Sequence, residues 1–203
     1  MTKVVALMSM SLDGYVADPN DGVAEVFDWY FSGDVEVPTA GPWVFKVSQP
    51  SARVLRGMLE DCGALVVGRG EFDKTHGWGG RHPMGAPVFV LTHRPPPAWP
   101  FPDTPEAEDM PFTFVTDGIA SAISQAKEVA GGKTVAVNPG VIARQALEAG
   151  LLDEVWISLV PVLFGNGIRY FGDLDDPRVR FETPRIVEAD GVTHLTYRAQ
   201  RSA

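Results

Sequence analysis

The apolar positions of this chain come in short unbroken runs. Residues 3–8 read KVVALM, apolar on both faces of an extended chain, as in a strand buried inside a parallel sheet. Comparable runs recur at 64–68 (ALVVG), 87–92 (PVFVLT), 112–116 (FTFVT) and 134–138 (TVAVN), and a longer one spans 153–164 (DEVWISLVPVLF). Helical spacing lies between them. Over 51–62, Val54, Leu55, Met58, Leu59 and Cys62 fall on one side of a helix, with Ser51 as the expected N-cap. Asp117 is the expected cap of a helix over about 118–130, turning Ile119, Ile123 and Ala126 inward. A third helix is predicted to begin at Pro139, which suits a first helical position, and to stop at Gly150. The tail holds two β-like runs, 181–189 and 192–199, joined by Asp190-Gly191, a strong hairpin signal.

The segments between are marked by turn chemistry. Residues 11–22 carry Asp13-Gly14, Pro19 and Asp21-Gly22. Aromatics cluster at Phe27, Trp29, Tyr30 and Phe31, and an irregular stretch is expected from there to Pro50. Residues 68–85 read as a glycine-rich loop opening with a helical turn. Residues 95–111 hold seven prolines and the acids Asp103, Glu106, Glu108 and Asp109, which predicts a surface loop. Alternating strands and helices, closed by a hairpin, predict a three-layer α/β domain: a mostly parallel sheet with antiparallel strands at one edge. No repeat or long linker interrupts residues 1–203, so one domain is expected.

Composition narrows the function classes. The net charge is -9, and an acidic surface repels phosphate backbones, so nucleic-acid binding is not expected. No apolar run approaches the roughly 20 residues of a membrane span, so no membrane partner is expected either. The N-terminal MTKVVALMSMSLDG reads as a first strand, not a secretion signal. The single cysteine, Cys62, excludes internal disulfides and the Cys-x-x-Cys zinc site of deaminases, and fits a cytoplasmic location. His76 and His82 flank Trp78-Gly79-Gly80 without a frame of carboxylates, so no metal site is predicted.

Ligands of parallel sheets bind at the carboxyl ends of the strands, and three such ends carry suggestive residues. Gly68-Arg69-Gly70 joins two permissive glycines to a guanidinium fork suited to phosphate. Thr92-His93-Arg94 places a hydroxyl and two potential cations after another strand. Asn138-Pro139-Gly140-Val141 opens a helix, whose free N–H groups and positive dipole end favour an anion. Each alone also reads as an ordinary turn, loop or cap. Together they suit a dinucleotide with an extra phosphate.

These residues resemble the dihydrofolate reductase-like superfamily, and within it the reductases similar to the C-terminal domain of the riboflavin-biosynthesis deaminase-reductase. The carriers are Ser11-Leu12-Asp13-Gly14-Tyr15-Val16-Ala17, Val66-Val67-Gly68-Arg69 and Val88 to Arg94. More specific are Ala149 to Val155 with Pro161-Val162-Leu163-Phe164-Gly165-Asn166-Gly167, and Gly191 to Leu195 near the end. The resemblance implies a three-layer dihydrofolate reductase-like fold, an NADPH-dependent reductase and a homodimer. It puts the adenosine 2′-phosphate near Arg69, Thr92, His93 and Arg94, and the pyrophosphate near Asn138, Pro139, Gly140 and Val141. It brings Ser9, Val16 and Ala17 to the nicotinamide. Glu71 stands where related reductases often carry threonine, a negative charge that would repel a pyrophosphate it faced. Asn138-Pro139 replaces a glycine pair that is cis-joined in dihydrofolate reductase, so a cis Asn138–Pro139 bond is expected.

Hydride transfer needs a dry, positioned pocket, and Phe27, Trp29, Phe31, Trp78 and Phe164 are the candidate substrate walls. Reduction of a C=N bond also needs a proton. Asp28, set among aromatics, and Asp13 are the candidate catalytic donors, although Asp13 before Gly14 also reads as a turn residue. The favoured reading is an NADPH-dependent oxidoreductase of a small heterocycle, a pterin or a 5-amino-6-ribosylaminouracil-like pyrimidine. The alternatives are a non-catalytic, cofactor-degenerate binding protein of the same fold and a structural dimer module.

Overall fold

The protein is seen in a computed structural model that describes residues 2–20, 22–101, 103, 108–109, 111–174 and 179–200. Asp21 of the third turn signal and Glu106 of the proline-rich loop lie outside the described residues. An eight-stranded sheet organises the chain, in the order β11-β12-β9-β1-β8-β5-β6-β7. Its strands are β1 (Val4–Ser11), β5 (Cys62–Gly68), β6 (Val88–Leu91), β7 (Phe112–Val115), β8 (Thr134–Val137), β9 (Glu154–Val160), β11 (Arg185–Ala189) and β12 (Val192–Arg198). From β9 to β7 every neighbour is parallel, and β12 and β11 add antiparallel strands at one edge. This is the predicted architecture, and the Asp190-Gly191 turn joins the predicted hairpin.

The central strands are apolar throughout because both of their faces are covered. On one face Val4, Ala6, Val66, Val135 and Val137 pack with Ile123 and Ala126 of α5 (Ile119–Val129) and with Ala143 and Ala146 of α6 (Val141–Glu148). On the other, Leu65, Val67, Val88, Val90 and Ala136 pack with Phe72 of α3 (Arg69–Lys74) and with Trp78. Beside them a third cluster joins α2 (Gln49–Asp61) to the aromatic segment and to a β3–β4 hairpin (Val35–Pro38 and Val44–Val47).

Several boundaries differ from the sequence expectations. The cap position of α2 is Ser48, and the helix starts at Gln49; Ser51 lies inside it, buried. Gly118, at φ 98°, occupies the cap position expected for Asp117. The last major helix begins at Val141, two residues beyond Pro139, with Gly140 at φ 73° before it. That left-handed backbone favours glycine and breaks the chain between Pro139 and the helix. The described residues contain no cis peptide bond, so the expected cis Asn138–Pro139 bond is corrected to trans. The irregular stretch before Pro50 contains the β3–β4 hairpin, preceded by the short α1 (Ala24–Phe27) and a 3-10 turn over Asp28–Tyr30. The loop after Arg69 is in part helical, as α3 and a tight turn α4 (His76–Gly79) in which His76 and Trp78 take positive φ.

Phe72 shows how the fold holds the start of α3. It is fully buried, with Trp99, Phe101, Phe112 and Phe114 around it at centroid distances of 5.2–5.7 Å. Phe72→Ala is expected to cost about 3–5 kcal/mol, because the cavity it leaves cannot close on a rigid sheet. Urea unfolding checks this; a loss below about 1 kcal/mol would show that the ring is not an anchor.

Candidate functional site

The site follows from sheet order. β8, β5 and β6 are adjacent and parallel, so their carboxyl ends emerge side by side. Val66 of β5 pairs with Val137 on one side and Phe89 on the other. The residues that follow these strands are Asn138, Arg69 and Thr92. All three line one cavity of about 1280 Å³, together with Gly68, Gly70, His93, Arg94, Pro139, Gly140 and Val141. The three strand-end motifs therefore share a rim.

Arg69 is held in place. Its Nε donates to Asp73 Oδ1 at 2.7 Å and its Nη1 to the Arg94 carbonyl at 3.0 Å. Two strand ends are thereby tied together, and guanidinium N–H groups remain for a ligand, since arginine carries five. Thr92 Oγ1 donates to the same Arg94 carbonyl and accepts from the Arg94 amide. The His93 and Arg94 side chains are exposed. No side chain caps α6: the Gly140 amide donates to the Tyr170 carbonyl at 2.7 Å, and the first helical N–H groups, from Val141 onward, are open toward the cavity. A cation-rimmed wall beside an uncapped helix start fits a phosphorylated dinucleotide.

Glu71 modifies that wall. It lines the cavity and accepts a hydrogen bond from Asn138 Nδ2. Burial pushes its carboxyl up from 4.5 to about 7, opposed by the bond from Asn138. Near pH 7 a large share of Glu71 is therefore neutral, and the repulsion expected of a fixed negative charge is only partly present. The Asn138–Glu71 bond also ties the end of β8 to the start of α3, a link that the sequence does not disclose.

The remaining wall is largely apolar. Val16 and Ala17 of β2 (Tyr15–Ala17) line it, as do Phe27, Phe31 and Trp78 among the expected residues. Tyr30, Phe45, Leu55, Met58 and Ser158 also line it, brought there by the 3-10 turn, the β3–β4 hairpin, the inward face of α2 and β9, which the sequence does not place beside the cavity. β2 is covered by β10 (Ile168–Arg169), and Gly167 makes this possible. A Cβ on Gly167 would stand 2.1 Å from the Ala17 carbonyl oxygen. Ile168 of the same strand also lines the cavity. His82 lines it too, and burial drives its pKa down to about 3, so it is a neutral ring whose Nδ1 accepts from the Met84 amide at 3.1 Å. Among the described residues no group of His, Cys, Asp and Glu is arranged to hold a metal ion.

Five expected site residues stand elsewhere. Asp28 is exposed and does not line the cavity, because the 3-10 turn directs it outward while burying Trp29. Trp29 belongs to the third core cluster and donates through Nε1 to Ser9 Oγ at 3.0 Å. Ser9 is fully buried by that arrangement and is not a lining residue. Asp13 is a loop brace: Oδ1 accepts from Ser11 Oγ at 2.6 Å and from the Phe164 amide at 3.2 Å, and Oδ2 accepts from the Gly165 amide at 2.7 Å. The Ser11 hydroxyl, and then the two amides, hold its carboxyl below the usual range, the reverse of what a proton donor needs. Phe164 is packed with the third cluster and lies off the cavity.

The fold is shared with known proteins. A protein from Shewanella sp. PV-4, provisionally assigned to riboflavin biosynthesis, is 27% identical, with a TM-score of 0.70 over 99% of this chain and 100% of that one. A diaminohydroxyphosphoribosylaminopyrimidine deaminase/5-amino-6-(5-phosphoribosylamino)uracil reductase from Thermotoga maritima is 15% identical, with a TM-score of 0.62 over 98% of this chain and 57% of that one. Dihydrofolate reductase from Enterococcus faecalis, solved with NADP(H), is 15% identical, with a TM-score of 0.56 over 98% of this chain and 97% of that one. No curated protein sequence matches the chain. The family profile of the RibD C-terminal domain matches residues 2–195. Family membership supports an oxidoreductase-like enzyme. The chain has the fold of dihydrofolate reductase and belongs to the RibD C-terminal domain family.

Proposed function

We propose that this protein is an NADPH-dependent reductase of a small heterocyclic substrate, with a ribosylaminopyrimidine favoured over a pterin by family membership. The carrying observation is the convergence of Arg69, His93 and Arg94 with the uncapped start of α6 on one end of a cavity whose opposite walls are apolar. Arg69, Thr92, His93 and Arg94 would hold the 2′-phosphate side, and the first amides of α6, from Val141 onward, the pyrophosphate, with Gly140 leaving room beside them. When bound, the dinucleotide supplies a hydride. The role of Phe27, Phe31, Tyr30 and Trp78 is to exclude water and orient a flat ring. A homodimer in the cytoplasm belongs to the same reading. A cofactor-degenerate binding protein is the alternative, and the Glu71 carboxyl on the phosphate side is the observation that favours it.

The direct test is consumption of NADPH with 5-amino-6-(5-phosphoribosylamino)uracil or dihydrofolate as acceptor. Turnover with either supports a reductase; saturable binding of the pyrimidine with no NADPH consumption supports the alternative. Arg69→Ala is expected to reduce the preference for NADPH over NADH by roughly tenfold or more, the size of a lost charge-assisted phosphate contact. An unchanged ratio of the two dissociation constants would remove Arg69 from the phosphate site.

Glu71 adds a pH dependence whose sign follows from its raised pKa. Below about pH 7 the carboxyl is mostly neutral and leaves a pyrophosphate undisturbed; above it the carboxylate repels. NADPH affinity is therefore expected to fall between about pH 6 and pH 8, by up to roughly tenfold. Glu71→Gln should flatten that slope and bind more tightly at pH 8. Identical slopes in the two proteins would place Glu71 away from the phosphates.

A further inference from the structure

The two carboxylates expected to donate a proton both lie off the cavity, so a reduction must draw its proton from another group. A row of polar side chains crosses the sheet beneath α2. In the strand register Ser9 of β1 pairs with Ser158 of β9, and Ser158 pairs with His194 of β12, so the three stand side by side on one face. All three are buried. Ser9 is engaged by Trp29 Nε1, and the Trp29 ring also meets the edge of His194 at a centroid distance of 5.0 Å. Ser158 lines the main cavity.

His194 is bonded at both ring nitrogens. Nδ1 is 3.0 Å from Ser158 Oγ, and Nε2 is 2.9 Å from Ser51 Oγ, on the first turn of α2. Ser51 in turn accepts from Ser48 Oγ at 3.3 Å, the longest link of the series. Ser48 occupies the cap position of α2 yet makes no side-chain cap, and it is half-buried at the surface. The series thus runs from solvent, through the first turn of a helix and a buried imidazole, to a hydroxyl on the wall of an apolar cavity. A structural pin between α2 and the sheet would need only one of these bonds. A continuous series ending in the cavity is what proton transfer requires.

We propose that Ser48, Ser51, His194 and Ser158 form a relay that delivers a proton from solvent to the acceptor nitrogen of the substrate in the main cavity. The proposal rests on the reductase reading, since a reduced C=N bond demands that proton. The resting imidazole carries its proton on Nδ1. Every hydroxyl then donates inward: Ser48 to Ser51, Ser51 to Nε2, Nδ1 to Ser158, and Ser158 into the cavity. As the new N–H bond forms on the substrate, the Ser158 O–H bond breaks, and Ser158 takes the Nδ1 proton. Nε2 takes the Ser51 proton, Ser51 takes that of Ser48, and Ser48 draws one from water. The π electrons of the C=N bond become the N–H bond, the adjacent carbon receives the hydride from NADPH, and one solvent proton is consumed per turnover. No standing charge is needed on His194, in keeping with burial, which drives its pKa down to about 4. Ser158 is the group that touches substrate; His194 and Ser51 act through it.

The test has one arm without substrate and one with it. In 15N-labelled protein, the imidazole shifts of His194 are expected to report the Nδ1–H tautomer at neutral pH. An Nε2–H tautomer would reverse the series and overturn the relay. With NADPH and 5-amino-6-(5-phosphoribosylamino)uracil, Ser158→Ala should lower kcat by roughly a hundredfold while the NADPH dissociation constant stays put, and Ser158→Thr should recover most of it. Ser51→Ala should lower kcat and raise the solvent deuterium isotope effect on it; Ser48→Ala, at a half-buried site that the fold tolerates, should do the same more weakly. Wild-type kcat and isotope effect in Ser51→Ala and Ser48→Ala overturn the relay. Failure of the wild type to reduce that pyrimidine while NADPH binds would count against the reductase reading alone, and the tautomer would then decide whether the series is poised to donate inward.

Discussion

The parallel pairing of β5 with β8 on one side and β6 on the other is the constraint on which the rest depends. Parallel neighbours place their carboxyl ends at the same edge, so groups far apart in sequence meet without any loop having to reach. The apolar interior makes this order obligatory. Val66 and Val67 point to opposite faces and are both fully buried, so a slip of one residue would exchange the two cores. The register is thus set by burial, and the rim that carries Arg69, Thr92 and Asn138 is a by-product of it. The Arg69 bond to the Arg94 carbonyl and the Asn138 bond to Glu71 then stitch the three ends together.

Much of the fold was legible because its strands obey a simple rule: runs such as TVAV are apolar at every position only when both faces are covered. Helix starts were less legible. Ser51 and Asp117 are good capping residues by type, yet the chain uses Ser48 and Gly118 at those positions, since capping depends on backbone direction as much as on side-chain chemistry. The β3–β4 hairpin was missed because Val-Glu-Val-Pro and Val-Phe-Lys-Val are too short to alternate visibly. Those four-residue strands carry Phe45 to the cavity wall.

The site divides in the same way. Residues that follow strand ends could be placed from sequence, because topology alone sends them to the rim. Residues defined by side-chain direction could not. Asp28, Trp29 and Tyr30 are consecutive in one 3-10 turn, and they point respectively to solvent, into the core and to the cavity. Asp13 and Phe164 were associated with chemistry through the motifs that hold them, yet they bind one another's loops: Asp13 accepts from the Phe164 amide. The Ser51–His194–Ser158 series spans 143 and 36 residues of sequence separation, so no local pattern could announce it.

A crystal structure of the protein with NADPH tests the central claim most directly. The account predicts the adenosine 2′-phosphate against Arg69, His93 and Arg94, the pyrophosphate at the first amides of α6 from Val141 onward, and the nicotinamide toward Val16 and Ala17. A dinucleotide bound on another face, or one lying in the cavity with its phosphates away from these three strand ends, would contradict it.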